Sequence, residues 1–63
     1  MNNLINIACT QSMQEQKPIK VFLTSIVVEG TVTDIQGSYV EMRTSTNKRI
    51  TIKLDCVQAI ERD

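Results

Sequence analysis

"VVEGTVTDIQGSYVEM", residues 27–42, alternates apolar and polar side chains with the period of a β-strand, yet sets Gly30 in the middle of the run. Glycine weakens a strand interior, because it packs no side chain and loses more backbone freedom on folding. Val28 and Val32 share one face, and Gly30 falls on that face between them. A bare inner position lets the strand bend sharply, or lets another backbone approach. Small closed sheets need such corners. One long strand can then serve two halves of a barrel.

Strand patterns continue on both sides of this stretch. In "PIKVFLT", Ile19, Val21 and Leu23 share one face and Lys20, Phe22 and Thr24 the other, which predicts a first strand over 19–24. Thr24 and Ser25 form a tight turn into a second strand over 26–35, with Ile26, Val28 and Val32 inward. Gln36 and Gly37 mark the next turn. A third strand over 38–43 points Val40 and Met42 inward. "TSTNK", residues 44–48, is a polar hairpin loop. In "KRITIKL", Ile50, Ile52 and Leu54 alternate against Arg49, Thr51 and Lys53 as a fourth strand, before Asp55 interrupts. "CVQAIE" is a short fifth strand with two open inner sets, Val57 with Ala59 or Cys56 with Ile60.

The first 17 residues follow a different period. Leu4, Ile5, Ala8, Cys9 and Met13 recur at helical spacing and predict one apolar stripe. Asn2 or Asn3 supplies an N-cap. Pro18 closes the segment, since it disfavours helix in the residue before it. "QSMQEQK", residues 11–17, is polar all round and predicts a short or fraying end. The helix covers one end of the sheet. Its polar face carries almost no positive charge, so it makes a poor membrane anchor.

The expected fold is therefore mainly β: a short N-terminal helix over 1–17, then a five-stranded, strongly bent antiparallel sheet over 18–61. Such a sheet forms a small open barrel of the SH3 or OB kind in a single domain, 1–63. A chain of 63 residues buries only about 60% of the surface its unfolded form exposes. Subunit contacts are one way to recover the missing stability. The fourth and fifth strands are apolar and contain no proline, so their edges invite another chain.

Composition excludes several functions. Seven basic and seven acidic residues give a formal net charge of zero, which argues against coating nucleic acid by bulk attraction. Any nucleic-acid contact must be local. There is no histidine, and the two cysteines, Cys9 and Cys56, form no CxxC pair. Neither a metal site nor a cofactor is expected. The thiols read as reduced apolar fillers. No secretory signal and no apolar run of membrane-spanning length is seen, so a cytoplasmic location is expected. Ser12, Ser25, Ser38 and Ser45 have no base in a recognisable motif, and no glycine loop cradles phosphate. Asp34 and Glu41 read as surface acids. An enzyme is not expected.

The helix, the strand order along the chain and the glycine within a bent second strand resemble the Sm-like family, which includes the bacterial Hfq proteins. Its first motif is matched by "KVFLTSIVVEGTVTDIQGSYVEM", with Val21, Leu23, Val28, Gly30, Val32, Gln36–Gly37 and Val40 in place. Its second motif is similar to "ITIKLDCVQAI". The similarity spans residues 18–61. Departures are plain. The turn between the first two strands lacks the usual glycine and is one residue short. Gln36 stands where an acid is common. Lys53 and Leu54 replace the Arg-Gly of many members. Lys53, Leu54 and Asp55 stand where Hfq carries Tyr-Lys-His, and there is no basic C-terminal tail.

The resemblance implies a homo-oligomeric ring of about five to seven subunits, built by pairing strand four of one copy with strand five of the next. It also implies binding of short single-stranded RNA, often U-rich, near the pore, and action as a chaperone of RNA pairing. Two loops supply the contacts in that family. Here they hold Gln36, Gly37, Ser38 and Tyr39, and then Lys53 and Asp55. Single-strand binding needs a flat side chain for a base, polar groups for its edge and a cation for the backbone. Tyr39 offers the flat ring, although a one-residue shift in alignment puts Ser38 there instead. Lys53 offers the cation, repeated once per subunit. Asp55 opposes it, caps a turn or pairs with Lys53. Arg43, Lys48 and Arg49 form a basic patch around the third hairpin, the pattern of a solvated loop. The rival functions are a ring-forming structural or protein-interaction module that has lost RNA, and a monomeric SH3-like barrel docking on a larger assembly.

Overall fold

The computed structural model describes residues 3–63. Its elements are α1 (Asn3–Glu15), β1 (Ile19–Phe22), β2 (Val27–Gln36), β3 (Tyr39–Thr44), β4 (Arg49–Lys53), a 3-10 turn (Leu54–Cys56) and β5 (Ala59–Glu61). The strands form one antiparallel sheet in the order β4-β3-β2-β1-β5. The sheet is strongly bent and open, with β4 and β5 each paired on one side only.

The bend centres on Gly30. Residues 27–30 of β2 pair with β1, from Phe22↔Val27 to Ile19↔Gly30. Residues 30–36 pair with β3, from Gly30↔Thr44 to Gln36↔Tyr39. Gly30 thus belongs to both ladders, and the strand splits its two halves between them. A Cβ built on Gly30 would stand 2.2 Å from the Arg43 carbonyl oxygen and 2.9 Å from Thr44 Cα. The backbone of β3 occupies the space a side chain would need. Of the two roles glycine offers here, close backbone approach is the one that is geometrically explicit. Ser45 N–H reinforces the crossing by donating to Glu29 O at 3.3 Å.

Beyond the bend a β-bulge changes the phase of β2. Val32 lies opposite Met42 and Asp34 opposite Glu41, which leaves Thr33 as the extra residue. Val28, Gly30 and Val32 are buried, yet the next inward residue is the half-buried Ile35, while Asp34 and Gln36 are exposed. The Thr33 hydroxyl faces Glu41, 2.9 Å from Oε1 and 3.2 Å from the backbone oxygen.

Ile19, Val21, Val28, Val32, Val40, Met42, Ile52, Leu54 and Val57 form the core, closed on one side by Cys9 of α1. Each fully buried aliphatic side chain contributes about 1.5–3 kcal/mol. Helix α1 buries Ala8, Cys9 and Ser12 and packs Ile5 and Met13 at the margin. Ser12 joins helix to sheet. Its hydroxyl donates to Lys17 O at 2.7 Å and accepts from Val32 N–H at 3.0 Å. Lys17 N–H returns to Ser12 O at 3.2 Å, and Gln16 takes φ +55°, so the helix ends in a Schellman-type cap with Pro18 after it.

Several expectations need correction. The helix does not fray through residues 11–15, because Ser12 is anchored on both sides. Leu4 leaves the stripe and is 71% exposed; Ile26 lies outside β2 and is 51% exposed. Gln36 belongs to β2, and the turn is Gly37–Ser38. The fifth strand is three residues long, because Leu54–Cys56 winds into a 3-10 turn. That turn breaks strict alternation, so Val57 is buried and Ile60 half-buried, a mixture of the two inner sets. Cys9 is a filler as expected, but Cys56 is exposed; both are free thiols. The expected cap at Asn2 lies outside the described residues, as does the Asn3 side chain. No helix among the described residues is long and apolar enough to cross a membrane.

Candidate nucleic-acid interface

The two loops singled out in the sequence meet at one end of the sheet. Gln36 and Tyr39 close a two-residue hairpin, and Gly37 takes φ +57° at its first central position. That conformation suits glycine, and the turn matches the right-handed twist of the flanking strands. Tyr39 lies directly opposite Lys53 in the β3–β4 register. Leu54 N–H donates to Ser38 O at 2.7 Å, which fastens the turn to the start of the 3-10 segment. Leu54 is buried there, so its neighbours Lys53 and Asp55 are left exposed.

All six predicted site residues, Gln36, Gly37, Ser38, Tyr39, Lys53 and Asp55, therefore cluster at this end. Tyr39 is 49% exposed and alternates with buried Val40 and Met42, so it stands on the outer face. Ser38 is half-buried in the turn and its carbonyl is occupied by Leu54. Tyr39 rather than Ser38 is the flat side chain available to a ligand.

A shallow pocket of about 160 Å³ opens beside Tyr39, lined by Asp34, Gln36, Tyr39, Val40, Glu41 and Thr51. Asp34 is held by its own strand: Oδ1 accepts from Ile35 N–H at 2.9 Å and Oδ2 from the Gln36 side-chain amide at 2.8 Å. Glu41 is held by Thr33. Composition alone did not reveal Asp34, Glu41 and Thr51 as neighbours of Tyr39. For Glu41 and Thr51 the available signal was the outward parity they share with Tyr39 and Lys53 across the β3–β4 pair. For Asp34 it was hidden by the bulge.

The basic patch lies elsewhere. Arg43 and Arg49 face one another at the opposite end of the same hairpin, next to Lys48 and the 44–48 loop. Thr44 N–H to Lys48 O at 2.7 Å and Asn47 N–H to Thr44 O at 2.9 Å shape that loop. Arg43 and Arg49 are four residues of strand away from Tyr39 and Lys53 and do not join the cluster.

No group of three or more carboxylate, thiol or imidazole side chains gathers among the described residues. Cys9 is chemically quiet, because burial pushes its thiol above the ordinary value of 9.0. No protein-family model matches the sequence, and no curated protein matches it.

Proposed function

We propose that this chain is a cytoplasmic, Sm-like subunit of a homo-oligomer, joined edge to edge through β4 and β5, which binds short single-stranded RNA at the Gly37 turn. The observation that carries the RNA reading is the cross-strand pair of exposed Tyr39 and Lys53. A base stacks on the ring while the ammonium meets the adjoining phosphate. Aromatic stacking contributes about 1–3 kcal/mol per base. One such contact is weak, and repetition around an oligomer makes it avid. Support for assembly comes from the two strands with a vacant side, neither of which carries a proline.

Light scattering and fluorescence anisotropy test the two halves separately. The expected particle is several times heavier than the 7.1 kDa chain. Oligo-U and oligo-A are titrated at low and moderate salt, with Tyr39→Ala expected to abolish measurable binding. No binding of either RNA at micromolar protein removes the RNA claim. A particle of single-chain mass removes the oligomer.

A second reading keeps the assembly and replaces RNA with a protein partner. Asp34, Glu41 and Asp55 favour it, since carboxylates close to Tyr39 oppose a polyanion, and the chain has no net charge to offset them. A pull-down that retains protein but no RNA selects this reading.

A further inference from the structure

The pocket beside Tyr39 has more to specify than the presence of RNA. We infer that it selects nucleobases carrying an amino group and disfavours uracil; this rests on the RNA-binding reading above. The pocket volume, about 160 Å³, suits one base. Its polar rim is dominated by acceptors. The carboxylates of Asp34 and Glu41 offer acceptor oxygens. The amide nitrogen of Gln36 is directed to Asp34 Oδ2, which leaves its carbonyl as the remaining polar end. Thr51 adds a hydroxyl that can serve either way.

Each base meets this rim differently. Uracil presents a single N3–H flanked by two carbonyl oxygens, so seating it brings oxygen against carboxylate. Cytosine replaces O4 by an amino donor, the group that Asp and Glu accept from in base recognition. Adenine presents N6–H2. Guanine presents N1–H beside N2–H2, two parallel donors that match the two oxygens of one carboxylate. Glu41 is the residue placed to read them. It follows Tyr39 at the next outward position of β3, and the Thr33 hydroxyl at 2.9 Å holds its carboxylate in place. Asp34 is tied on both oxygens and acts mainly through its charge. The phosphate contact stays on the other side of Tyr39, at Lys53. Base edge and backbone are thus read by separate strands, and the preference departs from the U-rich RNA that the family resemblance implies.

The experiment uses the full chain and fluorescein-labelled hexamers of U, C and A, with an alternating G/A hexamer as the fourth probe. The C/U pair isolates one amino group on rings of equal size. C, A and G/A are expected to bind at least about tenfold tighter than U, the discrimination one well-made polar base contact supplies. Glu41→Gln keeps the shape and converts an acceptor pair into one acceptor and one donor. It is expected to tighten U and shrink the C-over-U ratio to about twofold or less, with an unchanged thermal melt. Asp34→Asn serves as the second variant and is expected to shrink the ratio less. Lys53→Ala is expected to weaken every hexamer alike, as a phosphate contact does. Equal binding of all hexamers, or tightest binding of U, overturns the selectivity while leaving RNA binding intact. So does a C-over-U ratio unmoved by both carboxylate variants. Failure to bind any hexamer overturns the RNA reading itself.

Discussion

Strand β2 and the outer strands β4 and β5 are built from similar material and end in different situations. All three turn their larger apolar residues inward and their polar ones outward. Strand β2 finds partners for both of its edges within the chain, one half against β1 and the other against β3, and sends Val32 N–H to a helix hydroxyl. Strands β4 and β5 find one neighbour each. The centre of the sheet is specified by contacts inside 63 residues; the rim has hydrogen-bonding groups left over. That contrast separates what holds the fold from what is free to engage another chain.

The sharpest way to break the contrast is Gly30→Val. A side chain there collides with the Arg43 carbonyl, and backbone cannot step aside without parting β2 from β3. The expected loss is about 3 kcal/mol or more, enough to unfold most of a domain this small. A urea midpoint within error of the parent would show that the close approach does not matter. Next comes Ala59→Lys at the exposed edge of β5. It is expected to reduce the particle to the 7.1 kDa chain and to lower the melting temperature, since the subunit contacts it removes stabilise the folded state; an intact particle would take β5 out of the interface. Ser12→Ala is expected to destabilise by about 1–3 kcal/mol, because Val32 N–H stays buried without an acceptor. Chemical denaturation reads it directly. Gln16→Gly relieves a left-handed residue at the helix end and is expected to stabilise by about 0.5–1 kcal/mol; a fall in the melting temperature would contradict the cap.

The smallest effect distinguishes core from rim by chemistry alone. A thiol reagent at neutral pH is expected to label exposed Cys56 at once and Cys9 only on unfolding. Burial raises the Cys9 thiol, so the folded state favours its neutral form. The matching contribution to stability is complete below about pH 9.0 and fades as pH climbs past it. A melt unchanged between pH 8 and pH 10 would place Cys9 outside the core.

Much of this could be read in the sequence because the signals are local. Period-two alternation located the strands, Pro18 ended the helical segment, and Gly30 sat where only an absent side chain made sense. Tyr39 and Lys53 could be brought near each other by counting back from the 44–48 loop along both strands. What stayed hidden depends on partners far along the chain. Thr33 bulges because two residues of β2 face one stretch of β3, and no residue at 33 announces it. Leu4 and Ile26 fit their apolar patterns, but the small core ends before it reaches them. The 3-10 turn at 54–56 serves the bond from Leu54 to Ser38, which joins two loops sixteen positions apart. The Asp34 wall of the pocket was illegible for the same reason as the bulge.

Thr33 also sets how the chain tolerates changes in length. Removing Thr33 would restore plain alternation without turning any neighbour over, because Val32, Asp34, Ile35 and Gln36 already lie opposite Met42, Glu41, Val40 and Tyr39. A single-codon deletion there would keep the Asp34 wall of the Tyr39 pocket and remove only the hydroxyl that holds Glu41. The same deletion in the exposed 44–48 loop would alter only a connection. Relatives of this chain should therefore vary in length at both places, with Glu41 less firmly held wherever the first is one residue shorter.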